Sequence, residues 1–516
     1  MSAVISSESM KTSKTIAVDS NNVICEWDII VPDSKPDIGS VLKTDTYADI
    51  TSCEVMQDRA VVNGVLKLNI LYISAEEESP SVKSIETSQN FSHVMELKGL
   101  RQNMDLALDA SVSSSSTNVI NSRKINFAST ISLDACVQDQ SEMEFVCEME
   151  DENIQTLSKE LKTYKTVCEG QNEIVLREDL EVPMGKPSIS DILKVDVKLA
   201  NKEVKPINNK IVVKGELSVA TLYNGDIEDT GLQYMEHEIP FTEILDVEGM
   251  QENCECDTDF VVADLQYFAQ EDEEGQKRQL CLETKLKLST KSYENVTFHA
   301  IVDAYSTKYE MDIEKTDYSI DEIVGDINTQ LLNKSDVHFD DIPSISKIYS
   351  FNANPKIDAI SVTNGNIRIE GTVQTDILYT SANAEKPIYS VSKEVPFVNN
   401  LPCDDAKAGT ECEAKIDLIH SGYNITSDYD IELRTTLGFR ARLKNTSKNN
   451  LIKSVSIDEE KALVKKRPSI VIYFCSENEN LWAIAKKYKT TVGDIIEANG
   501  LSGDKAVVSG IQLLIP

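Results

Sequence analysis

"VNGVLKLNILYIS" runs from Val62 to Ser74, and its pattern returns as "VKGELSVATLYNG" from Val213 and "IEGTVQTDILYTS" from Ile369. Side chains two apart share one face of a strand. In the first copy that face carries Ala60, Val62, Gly64, Leu66, Leu68, Ile70 and Tyr72. The second presents Ile211, Val213, Gly215, Leu217, Val219, Thr221 and Tyr223, and the third Ile367, Ile369, Gly371, Val373, Thr375, Ile377 and Tyr379. All three faces are mostly apolar. Asn63, Lys67 and Asn69 occupy the opposite face of the first copy. A glycine inside such a strand marks a bulge or a close approach of another group, so Gly64, Gly215 and Gly371 read as sheet-shaping residues.

The three glycines are 151 and 156 residues apart, and other segments repeat at the same offsets. Upstream, "PDIGSVLK" at Pro36 matches "PSISDILK" at Pro187 and "PSISKIYS" at Pro343. Downstream, "PF" at Pro240 matches "PF" at Pro396, with "NF" at Asn90 one residue out of step. This spacing far exceeds the ~20–50 residues of a solenoid repeat, so whole domains are repeated. Each copy also has a late alternating strand. These begin at Lys124 ("KINFASTISLDACV"), Gln279 ("QLCLETKLKLS") and Tyr429 ("YDIELRTTLGFRARL"). They read as half-buried antiparallel strands. Ile189, Ile192 and Leu193 sit at i, i+3 and i+4 after Ser188, which predicts one short helix in an otherwise β domain. Barrel and sandwich closures both fit.

The chain of 516 residues carries a formal charge of −35. That strongly disfavours a broad nucleic-acid surface, and it disfavours adhesion to an acidic membrane. No apolar run approaches the ~18 residues of a spanning helix, so no membrane insertion is expected. "MSAVISSESMKTSKTIAV" lacks a basic start followed by an apolar core, which predicts a protein without a secretory signal. The eleven cysteines include no C-x-x-C, and the five histidines are scattered singly, so neither a disulfide framework nor a metal site is expected. Phosphate-loop, dinucleotide, zinc-protease and serine-hydrolase motifs are missing, which points away from an enzyme and from any cofactor.

From Arg440 to Arg467 nine Lys/Arg stand against three Asp/Glu in a polar stretch, which reads as a tether. After it, "SIVIYFCSENENLWAIAKKYKTTVGDIIEANGLSGDKAVVSGIQLLIP" changes character. A strand ends at Phe474. Leu481, Ile484, Ala485 and Tyr488 share one helix face. Thr491 and Asp494 resemble a capping box opening a second helix, and "NG" at Asn499 closes it. A last strand covers Leu513 to Ile515. This strand–helix–helix–strand order, with "LWAIAKKY" and "IIEANGL", resembles the LysM domain. That resemblance implies a glycan groove formed here by Asn478, Glu479 and Asn480 before the first helix and by Ser509, Gly510 and Ile511 after the second. The first loop lacks the family's Gly-Asp-Thr/Ser and the second lacks its Pro-Gly-Gln. A fold kept while its sugar loops change implies a protein partner, with Trp482, Leu481 and Lys486 on the docking face.

"VPDSKPDIGSVLK" and "VPMGKPSISDILK", each followed by the glycine strand, resemble the SPOCS domain of clostridial spore-coat proteins. SPOCS copies followed by one LysM resemble the SipL-like spore morphogenetic proteins. That resemblance implies a mother-cell scaffold at the forespore surface. Its LysM would dock on the coat basement-layer ATPase, and its SPOCS copies would recruit other coat proteins. A protein binding peptidoglycan or cortex glycan through LysM is the alternative, and a wall enzyme a third reading. The expected plan is mainly β: three antiparallel sandwich or barrel-like domains and a small βααβ LysM domain. The segments are a tail at 1–12, repeats at 13–150, 160–310 and 325–442, a linker at 443–467 and LysM at 468–516.

Overall fold

The computed structural model of the chain describes residues 4–76, 81–226, 231–252, 254–340, 342–381, 386, 388–462, 471–476, 479–501 and 512–516. Repeat one holds β1 (Val4–Ile30), β2 (Ile38–Met56), β3 (Arg59–Ser74), β4 (Val82–Glu96), β5 (Asp105–Asn121) and β6 (Lys124–Glu150). Repeat two holds β7 (Ile154–Glu181), β8 (Ile189–Ile207), β9 (Lys210–Gly225), β10 (Leu232–Asp246), β11 (Glu255–Glu271) and β12 (Lys277–Ser306). Repeat three holds β13 (Tyr309–His338), β14 (Lys347–Thr363), β15 (Asn366–Thr380), β16 (Tyr389–Pro402), β17 (Glu411–Ile425) and β18 (Asp430–Ala462). The tail follows as β19 (Val471–Phe474), α1 (Leu481–Tyr488), α2 (Val492–Asn499) and β20 (Gln512–Ile515).

Each repeat is a sandwich of two three-stranded antiparallel sheets. In repeat one these are β2-β3-β4 and β1-β6-β5, and the other repeats copy the order. The alternating faces read from the sequence meet between the sheets. Leu66 and Ile70 of β3 thus join Phe127 and Ile131 of β6 in one core. Tyr72, Tyr223 and Tyr379 occupy the same place on β3, β9 and β15 and are fully buried. Tyr72 and Tyr223 spend their hydroxyls on the carbonyls of Pro36 and Pro187, at 3.0 and 3.1 Å. In repeats one and two the proline and the tyrosine therefore form one device, which pins the entry loop to the central strand.

The short helix expected at 189–193 is strand. β8 begins at Ile189, and two bulges interrupt its pairing with β9, between Ile189 and Asp191 and between Ile192 and Lys194. Each bulge inserts one residue into a period of two. The apolar side chains consequently fall at i, i+3 and i+4 and imitate a helical stripe.

The three repeats close on one another. Leu71, Leu222 and Leu378, which precede the three tyrosines, share one buried cluster with Leu193, Val82 and Ile388. A lysine bridges each pair of repeats beside it. Lys43 reaches Asp376 at 3.4 Å, Lys194 reaches Asp45 at 2.8 Å, and Lys198 bonds Asn352. Lys194 also holds Asp196 at 2.7 Å. Burial pushes the Lys194 ammonium towards neutrality, but Asp196 and Asp45 outweigh it and raise its pKa.

Beyond the sandwiches the outer strands run on as three two-stranded ribbons. β1 pairs with the end of β6, β7 with the end of β12, and β13 with the end of β18. A bulge marks each departure, at Thr15/Ala17, Ser292/Tyr293 and Ile323/Gly325. The ribbons pack together through Met143, Phe145, Leu161, Phe298, Ala300, Ile320 and Leu451. This stalk revises two expected boundaries. Residues 4–12 of the expected N-terminal tail belong to β1, and residues 443–462 of the expected linker belong to β18. Residues 463–467 lie outside the described residues. Leu451 and Ile452 are both fully buried, because a ribbon inside a bundle covers both faces. No period-two signal survives there, and the polar neighbours dominate the reading.

Candidate functional site

The tail folds as its sequence predicts. Asn480 caps α1 by accepting from the Ala483 amide at 2.8 Å. Thr491 and Asp494 form a complete capping box on α2, and Gly500 ends that helix in the left-handed conformation at φ 59°. β19 and β20 pair antiparallel, with Tyr473 opposite Leu513. Leu481, Ile484, Ala485, Ile495, Leu513 and Ile515 form the interior.

One residue of that interior comes from elsewhere. Tyr305, at the end of β12, is 1% exposed and packs inside the tail core. Its ring meets Trp482 edge-on at 5.0 Å, and its hydroxyl donates to the Thr490 carbonyl at 2.8 Å. Burial, with Asp494 and Asp303 nearby, pushes its pKa up to about 12.

Asp303 stands two residues before it. Trp482 Nε1 donates to Asp303 Oδ2 at 2.8 Å, and Lys486 Nζ donates to Oδ1 at 2.6 Å. Lys315 of β13 joins Oδ1 at 3.1 Å. A bulge between Ile301 and Asp303 in the β12–β7 pairing sits at this carboxylate. Burial pushes the Asp303 pKa up, but the hydrogen bonds from Lys486, Trp482 and Lys315 prevail and hold it at about 2. Trp482 and Lys486, expected to face a partner, thus have their polar atoms engaged by the same chain. Leu481, expected beside them, is 2% exposed and is a core residue.

Of the expected glycan-groove positions, Glu479 and Asn480 are described, whereas Asn478, Ser509, Gly510 and Ile511 lie outside the described residues. Glu479 accepts from the Tyr473 hydroxyl at 2.8 Å and from the Ser476 amide at 2.9 Å. The Ser476 and Tyr473 bonds hold its carboxyl below the usual range. Their counterpart is a Tyr473 hydroxyl pushed up to about 12, chiefly by Glu479. Both described groove residues therefore brace the loop and cap the helix.

Sequence reading missed Asp303 and Tyr305. Their only local trace is "AIVDAYS" from Ala300, where Ala300, Ile301, Ala304 and Tyr305 are buried and the bulge breaks the alternation. No group of three or more His, Cys, Asp or Glu able to hold a metal exists among the described residues. Among those residues, no helix is long and apolar enough to cross a membrane. All eleven cysteines are unpaired.

The chain is a repeat protein, in which three fused β-sandwiches share a stalk that seats a small βααβ module. Family models match it as the SPOCS domain of SipL at residues 37–120, 188–269 and 344–426, and as a LysM domain at 476–516. Its order of three SPOCS domains followed by one LysM domain matches the architecture of SipL-like proteins. Each SPOCS match spans the second to fifth strands of a sandwich; the first and last strands and the stalk lie outside it. Both are non-catalytic domain families. The comparisons with curated proteins and with solved structures gave no match.

Proposed function

We propose that this chain is a non-catalytic scaffold of spore-coat assembly. On this reading the SPOCS sandwiches present three related surfaces to other coat proteins at the forespore, and the LysM domain engages the coat basement-layer ATPase. The observation carrying the reading is the fusion of three SPOCS domains and one LysM domain into a single packed body. Similar surfaces held together raise avidity without new contacts. Protein is favoured over glycan as the LysM ligand because Glu479 and Asn480 spend their acceptors inside the domain. The test measures the full chain against two purified ligands, the coat ATPase and chitin oligomers. Binding to the ATPase with none to chitin oligomers is expected. Micromolar binding to chitin oligomers together with indifference to the ATPase would replace this reading with the peptidoglycan one.

A further inference from the structure

The LysM domain has a small core. Its helices have eight residues each and its strands four. Helices this short are marginal in water without tertiary packing. Domains near this size have little core to spare, and many add a disulfide or a metal to it. Here Cys475 is a free thiol, and no metal-ligand cluster exists among the described residues.

What supplements the core is supplied by the stalk. Tyr305 belongs to β12 and is covalently part of the second repeat, yet its ring sits among Leu481, Ile484, Ala485 and Ile495. Its hydroxyl donates to the Thr490 carbonyl, between the two helices. Asp303 then ties α1 down through Trp482 and Lys486 while Lys315 holds it from the adjacent strand.

We infer that the LysM domain of this chain is a conditional domain, completed by Tyr305 and held in one orientation by Asp303, so that its folding is coupled to the SPOCS stalk. Tyr305 and Asp303 are positioning residues. They act on whatever the domain binds by fixing its helices, and the coupling holds for a protein ligand and for a glycan alike. A ligand that takes the Trp482 indole N–H or the Lys486 ammonium must first displace Asp303.

Hydrogen exchange on the full chain tests the coupling. Asp303→Asn keeps the shape and removes the charge. Tyr305→Ala removes the ring, and Tyr305→Phe removes only the hydroxyl. Protection of β3, β9 and β15 amides reports whether the sandwiches stay folded. With that protection unchanged, Asp303→Asn is expected to speed exchange in α1 and α2 about tenfold. Tyr305→Ala should speed it further and Tyr305→Phe less. Emission from Trp482 in a Trp27→Phe background should shift to the red in the same order. Unchanged exchange in both helices of Asp303→Asn and Tyr305→Ala would show an autonomous LysM domain and overturn the inference. So would loss of sandwich protection in step with the helices, since the effect would then be global.

Discussion

Phe241 of β10 lies directly across from Gly215 of β9, and its ring occupies the space that a side chain at Gly215 would need. Phe91 covers Gly64 and Phe397 covers Gly371 in the same way. The adjoining strand is bulged at each glycine, between Ile50 and Ser52, between Ala200 and Glu203, and between Ile357 and Ala359. The repeated glycine and the repeated "PF" are therefore two halves of one packing unit. The "NF" of repeat one falls out of step in sequence but in step across the ladder.

Substituting one of these glycines should destabilise its sandwich through overpacking. In Gly371→Ala the new methyl would meet the Phe397 ring and the Lys356 carbonyl. A loss of about 1–3 kcal/mol is expected. Urea denaturation should show a lower midpoint at constant slope. Adding Phe397→Leu should restore part of the loss, because the pair shares one space and its effects do not add. Equal losses from the single and double variants would disprove the shared-space account.

Much of this was legible because it is periodic. The alternation in β3, β9 and β15 survives burial between two sheets, so the sandwich faces and the tyrosines could be read directly. The helical stripe of the tail and its Thr491–Asp494 box were equally plain. What escaped reading breaks the period or needs a distant partner. The bulges near Ile189 turned a strand into an apparent helix. Leu451 and Ile452 lie in a ribbon buried on both faces, so a stalk strand looked like a tether. Asp303 and Trp482 are 179 residues apart, and nothing local to either predicts that they meet.

The lysines around the repeat junction make a second prediction. Lys194 is nearly buried between Asp45 and Asp196. Lys194→Ala removes the cation shared by Asp45 and Asp196; Asp45 keeps Lys43 at 3.0 Å, whereas Asp196 loses its lysine. Breaking a buried pair on one side typically costs about 3–5 kcal/mol, and the partial exposure of Asp45 and Asp196 places this case near the lower end. Differential scanning calorimetry should show a lower Tm for the sandwiches, and Asp196→Asn in the same chain should recover part of it. A Tm unchanged in Lys194→Ala would mean that solvent already screens the cluster.

The thiols give a third. Cys53 is exposed, whereas Cys25, Cys168, Cys254, Cys281 and Cys475 are buried. Burial raises the pKa of Cys25, Cys168 and Cys475, and it pushes Cys281 up to about 11 with Asp179 adding to the effect. The thiolate is the reactive form, so these groups react slowly at pH 8. Burial raises the Cys53 thiol as well, so its exposure is what should place it in the fast native phase of a thiol-reagent titration. All eleven should react in denaturant. A denatured count well below that would reveal disulfides.

The seat of the LysM domain should depend on pH through Asp303. Its carboxyl is held at about 2 when docked, below the ordinary carboxylate value of ~3.9. A group whose pKa is depressed in the native state contributes stability above its unfolded value and loses it as the proton binds. The contribution is therefore intact at neutral pH and fades as pH falls from about 5 towards 2. A shift of this size corresponds to roughly 2.5 kcal/mol in a fully shielded site, and partial solvent exposure reduces it to about 1 kcal/mol. The groups facing Asp303 are Lys486 and Trp482 from the tail and Lys315 from β13, with Tyr305 beside them and Lys489 and Asp494 near Tyr305. In a Trp27→Phe background, Trp482 emission should shift to the red on acidification before the far-ultraviolet signal of the sandwiches collapses. Asp303→Asn should begin shifted at neutral pH and change less on acidification. The difference between the two curves isolates the contribution of Asp303. Superimposable curves would mean that the docked domain draws nothing from this carboxylate and that Tyr305 alone seats it.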